Sequence, residues 1–140
     1  MPSIFSRIVS GEIPSIKICE DERTLAFMDI NPAGRGHTLV ISKAEYSDLF
    51  TIPAETLAAV TNTVRRVAIA LRDTLKPDGM NIIQNNGTAA GQTVFHYHVH
   101  LIPRWEDDNT VRLWTPQPSD QVELQTLAEQ IRQVLRGEQA

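Results

Sequence analysis

Three histidines that alternate with apolar residues are the part of this sequence best suited to chemistry. They lie in the run His96-Tyr97-His98-Val99-His100-Leu101-Ile102, and the fourth histidine of the chain is His37. Alternation of period two is typical of a β-strand, so the three imidazoles are predicted to share one face, with successive rings about 6.6 Å apart. The other face, with Tyr97, Val99 and Leu101, is then predicted to pack on the core.

Three interpretations of this row of imidazoles imply different chemistry. In the first, it is only a polar strand surface that faces solvent. In the second, it binds a metal, but His96 and His100 would lie about 13 Å apart along a strand, and no cysteine or related carboxylate completes a tetrahedral set. In the third, a neutral imidazole with a fixed tautomer attacks phosphorus while its neighbours donate to phosphate oxygens. The third interpretation is favoured, and no metal is expected.

The loop of residues 85–93, Asn-Asn-Gly-Thr-Ala-Ala-Gly-Gln-Thr, supports phosphate chemistry. Its glycines allow backbone N–H groups to face an anion, and Asn85 and Thr93 add side-chain donors. The loop lacks the Gly-Lys-Ser/Thr ending of a P-loop, and Asn-Gly alone is most often a simple turn. Because three histidines follow it, the loop is predicted to hold a phosphate beside a nucleophile.

Hydrophobic periodicity predicts the elements that position these residues. Strands are predicted over residues 16–20, 24–29, 37–42, 80–84 and 95–102. Helices are predicted after Ser3, over residues 53–75 with an apolar stripe at steps of three and four, and after Asp120. Strands adjacent in sequence with one long helix between them favour an α+β fold, an antiparallel meander sheet with one long helix and a C-terminal helix.

Length, charge and cysteine content limit the class of protein. With 140 residues and 15.6 kDa, one domain spanning residues 1–140 is expected. The net charge of -4 argues against a nucleic-acid or anionic membrane surface. Cys19 is the single cysteine, so no internal disulfide is possible. The sequence contains neither a run of about 18 apolar residues nor a secretory segment, so a cytoplasmic location is expected.

The triad, with Gly91-Gln92-Thr93 just upstream, resembles the signature of the histidine triad (HIT) family of nucleotide hydrolases and transferases. The segment from Ile4 through Pro14 resembles the N-terminal segment of that family. Residues 25–32 and 36–41, Leu-Ala-Phe-Met-Asp-Ile-Asn-Pro and Gly-His-Thr-Leu-Val-Ile, resemble its second signature block. The matches run from Ile4 to about Arg104, which implies a HIT-like α+β fold.

The resemblance also implies roles for the histidines. His98 would be the nucleophile that forms a nucleotidyl-histidine intermediate. His96 and His100 would bind phosphate and assist proton transfer, and His37 would support the cluster from a neighbouring strand. The residues alone allow a simpler interpretation of His37, which stands alone at a strand start and would usually be structural.

Nucleotide-binding residues are implied as well. Asn85, Gly91 and Thr93 would hold the α-phosphate, Gln92 between them would also bind the nucleotide, and Asp29, with Ile30 beside it, would bind the ribose hydroxyls. The purine would lie between five apolar side chains, which could equally be core: Ile4, Phe5, Ile8, Ile13 and Phe27. Asp29 could also simply begin a turn before Asn31-Pro32.

The resemblance implies a homodimeric enzyme without cofactor that cleaves a purine nucleoside 5′-monophosphate, AMP above all, from an amine, phosphate or acyl leaving group. The alternatives are a dinucleoside polyphosphate hydrolase and a non-catalytic regulatory protein that binds purine nucleotides. Two features differ from relatives. Ser3 and Ser6 occupy the places of a Cys-x-x-Cys pair that holds a structural zinc, and hydroxyls are poor zinc ligands, so no zinc is expected. The segment after Arg104, with Trp105, Trp114 and a full C-terminal helix, differs from the short tail of the best-known phosphoramidase branch. Because that tail contacts the leaving group in relatives, the resemblance does not identify the leaving group.

Overall fold

Five antiparallel strands form one sheet in the computed structural model of this protein, which describes residues 1–139. The predicted α+β class and antiparallel sheet are confirmed. The strand order β1-β2-β3-β5-β4 departs from a strict meander at one place, because β5 lies between β3 and β4. The strands are β1 (Lys17–Glu20), β2 (Thr24–Met28), β3 (Thr38–Ser42), β4 (Gly79–Ile83) and β5 (His98–Arg104).

Three α-helices accompany the sheet: α1 (Ile4–Val9), α2 (Ala54–Leu75) and α3 (Gln121–Gln139). A short 3₁₀ turn spans Thr88–Ala90. Ser3 caps α1 as predicted, since its Oγ accepts the Ser6 N–H at 2.9 Å. Pro53 precedes the first residue of α2, and Lys76 ends that helix in the left-handed conformation.

Side chains alternate along each strand, so each face of the sheet has its own apolar cluster, and a different helix packs on each. The predicted stripe of α2 packs on one face, where it meets Val40, Tyr97, Val99 and Leu101. The prediction that the three apolar residues of the triad segment face the core is therefore confirmed. On the opposite face α1 contributes Phe5 and Ile8, which pack with the alternate side chains of β2 and β3 (Leu25, Phe27, Leu39 and Ile41).

The prediction that a strand begins at Phe95 is wrong, because β5 begins at His98. The Tyr97 N–H leaves the ladder and donates to the Tyr46 carbonyl at 2.6 Å. The Ser42 carbonyl, at the end of β3, accepts instead from the His96 side chain at 2.6 Å. His96 thus lies before the strand, whereas His98 and His100 lie on it.

The C-terminal helix α3 exposes its predicted apolar stripe. Asp120 caps it by accepting the Val122 N–H at 3.0 Å. The exposed side chains include Leu124, Leu127, Ile131, Val134 and Leu135. Within residues 1–139, no helix combines the length and apolar character that a membrane crossing requires.

Candidate active site

His98 is held with one ring nitrogen bound to the backbone and the other unbound. Its Nδ1 lies 2.6 Å from the His96 carbonyl oxygen. Because a carbonyl only accepts, Nδ1 must carry the proton, and Nε2 of the neutral ring keeps its lone pair. Among the described residues, none forms a hydrogen bond with Nε2 of His98. The structure therefore presents His98 in the tautomer required of a nucleophile.

His100 and His37 are joined in a chain that fixes the protons of both rings. The Ala33 N–H donates to Nδ1 of His37 at 2.9 Å, so a neutral His37 carries its proton on Nε2. That Nε2 lies 2.9 Å from Nδ1 of His100, which must therefore accept. A neutral His100 is left with an Nε2–H donor. Its ring centroid lies 5.0 Å from that of His98, so this donor is adjacent to the nucleophile.

His96 does not share this position, which revises the predicted role. The ring is fully buried. Its Nε2 donates to the Ser42 carbonyl at 2.6 Å, so Nδ1 accepts from the Ser3 hydroxyl at 2.7 Å. With both nitrogens engaged, His96 has no donor to offer a phosphate in this structure.

A cavity of about 380 Å³ lies beside His98 and His100, between α1 and the sheet. All five apolar residues predicted to enclose a purine line it, namely Ile4, Phe5, Ile8, Ile13 and Phe27. Phe5 and Phe27 meet edge to face with centroids 5.7 Å apart, and Phe5 lies 5.0 Å from His98. Phe5, Ile8 and Phe27 are also buried, so these side chains serve as core and as cavity wall together.

Asp29 and Ile30 also line this cavity. One carboxylate oxygen of Asp29 accepts the Asn31 N–H at 2.8 Å, which is the turn interaction anticipated from the sequence. The other lies 3.5 Å from Nε2 of His37. Asp29 is thus oriented by its own turn and faces the cavity with the histidine pair.

Four residues of the loop 85–93 were predicted to bind the nucleotide. Of these four, Thr93 lines the cavity, and the other three do not. Gln92 is buried and braces the loop: it accepts the Gly87 N–H at 2.7 Å and donates to the Ser47 carbonyl at 2.6 Å. Both ends of the Gln92 side-chain amide are therefore occupied in this structure, one within the loop and one by Ser47. Gly91 has φ +96°, and a Cβ there would lie 3.6 Å from Nδ2 of Asn85. Asn85 and Gly91 are therefore neighbours, outside the cavity wall.

Burial sets the charge state of the cluster. It lowers the pKa of His37, His96 and His98 below the ordinary value of 6.5. It also lowers the pKa of His100 to about 4, with help from the neighbouring His98 and His37. All four imidazoles are consequently neutral at pH 7, as the tautomers above require.

Two groups of side chains bear on metal binding. Atoms of Asp29, His37 and His100 that could bind a metal ion lie within 4.8 Å of one another. A hydrogen bond already joins His37 to His100, however, and it occupies one ring nitrogen of each residue. Ser3 and Ser6, at the positions for which the family resemblance implied a zinc-binding cysteine pair, are hydrogen-bonded to His96 and to Glu45. These neutral hydroxyls do not fit a structural zinc.

The sequence interpretation missed several residues of the site. Pro14, Ser15, Met28, Asn31, Leu39 and Val94 also line the cavity. Leu39 could have been found, because period-two alternation places it with Ile41 on the Phe27 face. The hydroxyl of Ser15 is buried without a partner among the described residues. Glu45 carries no local signal, because its contacts with Ser3 and Ser6 are 42 and 39 residues away in sequence.

Comparison with known sequences gives one family. The model of the HIT domain family matches residues 10–107 of this chain. Protein hit of Bacillus subtilis (strain 168) is 42% identical over 118 residues, which cover 84% of this chain and 81% of that protein. The adenylylsulfatase HINT3 of Arabidopsis thaliana is 40% identical over 105 residues, which cover 75% of this chain and 53% of that protein.

Comparison with solved structures agrees. The crystal structure of a histidine triad nucleotide-binding protein from Candida albicans superposes with a TM-score of 0.88 and 33% sequence identity. The match covers 97% of this chain and 99% of that one.

Proposed function

This chain belongs to the HIT family, and we propose that it is a nucleotide hydrolase or transferase that cleaves AMP from an amine, phosphate or acyl leaving group. The observation that carries the proposal is the tautomer of His98, whose unbound Nε2 borders a cavity with aromatic and aliphatic walls. A cavity of about 380 Å³ lies within the usual size range of small-ligand sites.

In the first step, Nε2 of His98 attacks the α-phosphorus with its lone pair. The bond from phosphorus to the leaving group breaks, and its electron pair departs with that group, which takes a proton from solvent. The ring becomes positively charged when it gains the phosphorus bond. Its Nδ1–H remains donated to the His96 carbonyl, and this charge-assisted hydrogen bond stabilises the intermediate.

In the second step, water attacks the same phosphorus and releases a proton to solvent, the bond from phosphorus to Nε2 breaks, and His98 departs as a neutral imidazole. The Nε2–H of His100 is suited to donate to a phosphate oxygen throughout, because the chain from Ala33 through His37 keeps its Nδ1 occupied. Thr93 at the cavity edge adds a hydroxyl, and Asp29 accepts from the ribose hydroxyls.

The leaving group is best identified by a substrate panel. The values of kcat/KM would be compared for four compounds, in which AMP is joined to an amine, to an acyl group, to a second nucleotide through phosphates, or to sulfate. The sulfate compound is included because a relative is named an adenylylsulfatase. Turnover of the amine or acyl compounds above the dinucleotide supports the proposal. Binding of AMP with no turnover of any member favours a regulatory protein instead.

The rate is expected to hold constant from pH 8 to about 6.5 and to fall only at lower pH. The nucleophile must be neutral, and burial lowers the pKa of His98 below 6.5. The measurement is kcat/KM against pH, which reports groups of the free enzyme. A fall that begins above pH 7 would contradict the assignment of a neutral, buried nucleophile.

Acid unfolding must be separated from loss of the nucleophile. Because burial lowers the pKa of His100 to about 4, the unfolded state binds more protons than the folded state between pH 6.5 and about 4. The free energy of unfolding therefore falls as pH falls through this window. Circular dichroism at each pH identifies the range in which the protein is still folded, and only those rates are used.

The protein is expected to be a homodimer. Small residues on the outward side of α2, including Ala58 and Ala70, permit close approach of another chain, and the apolar stripe of α3 is exposed. Two-fold pairs are the most frequent assembly of soluble proteins. Light scattering at micromolar concentration should give twice the chain mass of 15.6 kDa. A mass of one chain would exclude the dimer.

A further inference from the structure

Three hydrogen-bonded contacts lead from the exposed carboxylate of Glu45 to the ring of His98, and covalent bonds within Ser3 and within His96 connect them. Oε1 of Glu45 accepts the Ser3 N–H at 2.6 Å and the Ser6 hydroxyl at 2.7 Å. Ser3 Oγ lies 2.7 Å from Nδ1 of His96, and the His96 carbonyl accepts from His98 at 2.6 Å. Each link in this path is a short, direct contact.

The protons along this path can point in only one way while the imidazoles are neutral. Nε2 of His96 faces the Ser42 carbonyl and must donate, so Nδ1 must accept the Ser3 hydroxyl proton. Ser3 Oγ in turn accepts the Ser6 N–H at 2.9 Å, which uses its acceptor side. The end of β3 holds His96 directly through the Ser42 carbonyl, and Glu45 in the turn after β3 holds the backbone of Ser3, whose hydroxyl bonds the other ring nitrogen.

The same contacts anchor the start of α1. That helix contributes Phe5, whose ring lies 5.9 Å from His96 and 5.0 Å from His98. Donation from the Ser3 N–H and the Ser6 hydroxyl lowers the pKa of Glu45 well below its usual range, so the acceptor stays ionised at neutral pH. An ionised acceptor makes stronger hydrogen bonds than a neutral one.

We propose that Glu45 is a positioning residue, which acts through Ser3 and His96 to hold His98 in its Nδ1–H tautomer beside the cavity. The network joins the start of α1, the turn after β3 and the segment before β5 through two hydroxyls and a carboxylate. The catalytic part of this proposal rests on the proposed function. The part that concerns the tautomer does not.

The first test is structural and needs no substrate. Nitrogen NMR of the imidazoles should show His98 protonated at Nδ1 and His96 at Nε2 in the unchanged protein at pH 7.5. In Glu45→Ala, His98 is expected to populate the Nε2–H tautomer as well, with Glu45→Gln intermediate because an amide oxygen still accepts. Glu22→Gln is the matched control, since Glu22 is exposed and lies away from the cavity residues.

The second test is kinetic. Misplacement of a reacting group typically lowers the rate of the chemical step, so kcat of Glu45→Ala is expected to fall about tenfold. KM should change much less, because Phe5, Ile8 and Phe27 remain packed in the core. Ser6→Ala keeps the Ser3 contact with Glu45 and should lower kcat less than Glu45→Ala does.

Unchanged imidazole signals in Glu45→Ala, together with kcat equal to that of Glu22→Gln, would overturn the proposal. An equal loss of kcat in Glu22→Gln would overturn it too. If Glu45→Ala does not fold, Glu45→Gln and Ser6→Ala decide by the same two measurements. If the unchanged protein turns over no nucleotide, the proposed function fails, and the NMR comparison still decides whether Glu45 positions His98.

Discussion

Replacement of His98 by alanine is expected to abolish turnover while AMP binding stays within a few-fold of the original affinity. Loss of a nucleophile typically costs several orders of magnitude in rate. The cavity walls and Asp29 stay in place, and one lost ligand contact costs only about 1 kcal/mol. The measurements are single-turnover rates with an AMP phosphoramidate and calorimetric titration with AMP.

His98→Asn is the matched variant for this experiment. Its amide nitrogen can still donate to the His96 carbonyl, which His98 bonds at 2.6 Å, but it has no atom able to attack phosphorus. Equal loss in both variants assigns the effect to the nucleophile, and recovery in His98→Asn assigns it to the hydrogen bond. Turnover close to the original in His98→Ala would end the assignment of His98 as nucleophile.

Hydrolysis is expected to proceed with complete retention of configuration at phosphorus. Two successive in-line displacements, first by Nε2 of His98 and then by water, each invert the centre and together restore it. A water activated by a histidine would attack once and invert, and so would a metal-bound hydroxide. Retention and inversion are opposite outcomes, so this experiment separates the mechanisms completely.

A chiral phosphorothioate substrate hydrolysed in isotopically labelled water provides the measurement. Inversion would contradict the covalent mechanism even if His98 proved essential, because a general base is essential too. Acid quenching should trap an AMP adduct on His98, and mass spectrometry of the digested protein locates it. A metal-dependent mechanism would give different results. If the cluster of Asp29, His37 and His100 held a metal ion that activates water, chelation would abolish turnover and the configuration at phosphorus would be inverted.

Much of this architecture could be predicted from local sequence. Alternation placed Val99 and Leu101 against α2, and it placed His98 and His100 on the opposite face. The stripe on α2 predicted which of its side chains are buried, because burial of a helix face repeats every three to four residues. Such patterns depend only on neighbours along the chain.

The position of His96 was decided by residues far away in sequence. Continued alternation predicted a third imidazole on the face of the strand. The Ser42 carbonyl and the Ser3 hydroxyl, which are 54 and 93 residues distant, take both of its nitrogens instead. A buried imidazole is most stable where both nitrogens have partners, and no local pattern reveals such partners.

The chemistry of the site divides in the same way. The types and spacing of the histidines by themselves determined that a nucleophile could stand on a strand after a glycine-containing loop. Only the tertiary structure decided which nitrogen of each ring carries the proton, because that depends on whether a carbonyl, an N–H or another imidazole lies opposite it. It also decided that Glu45 contacts Ser3 and Ser6, because these contacts form only when the turn after β3 meets the start of α1.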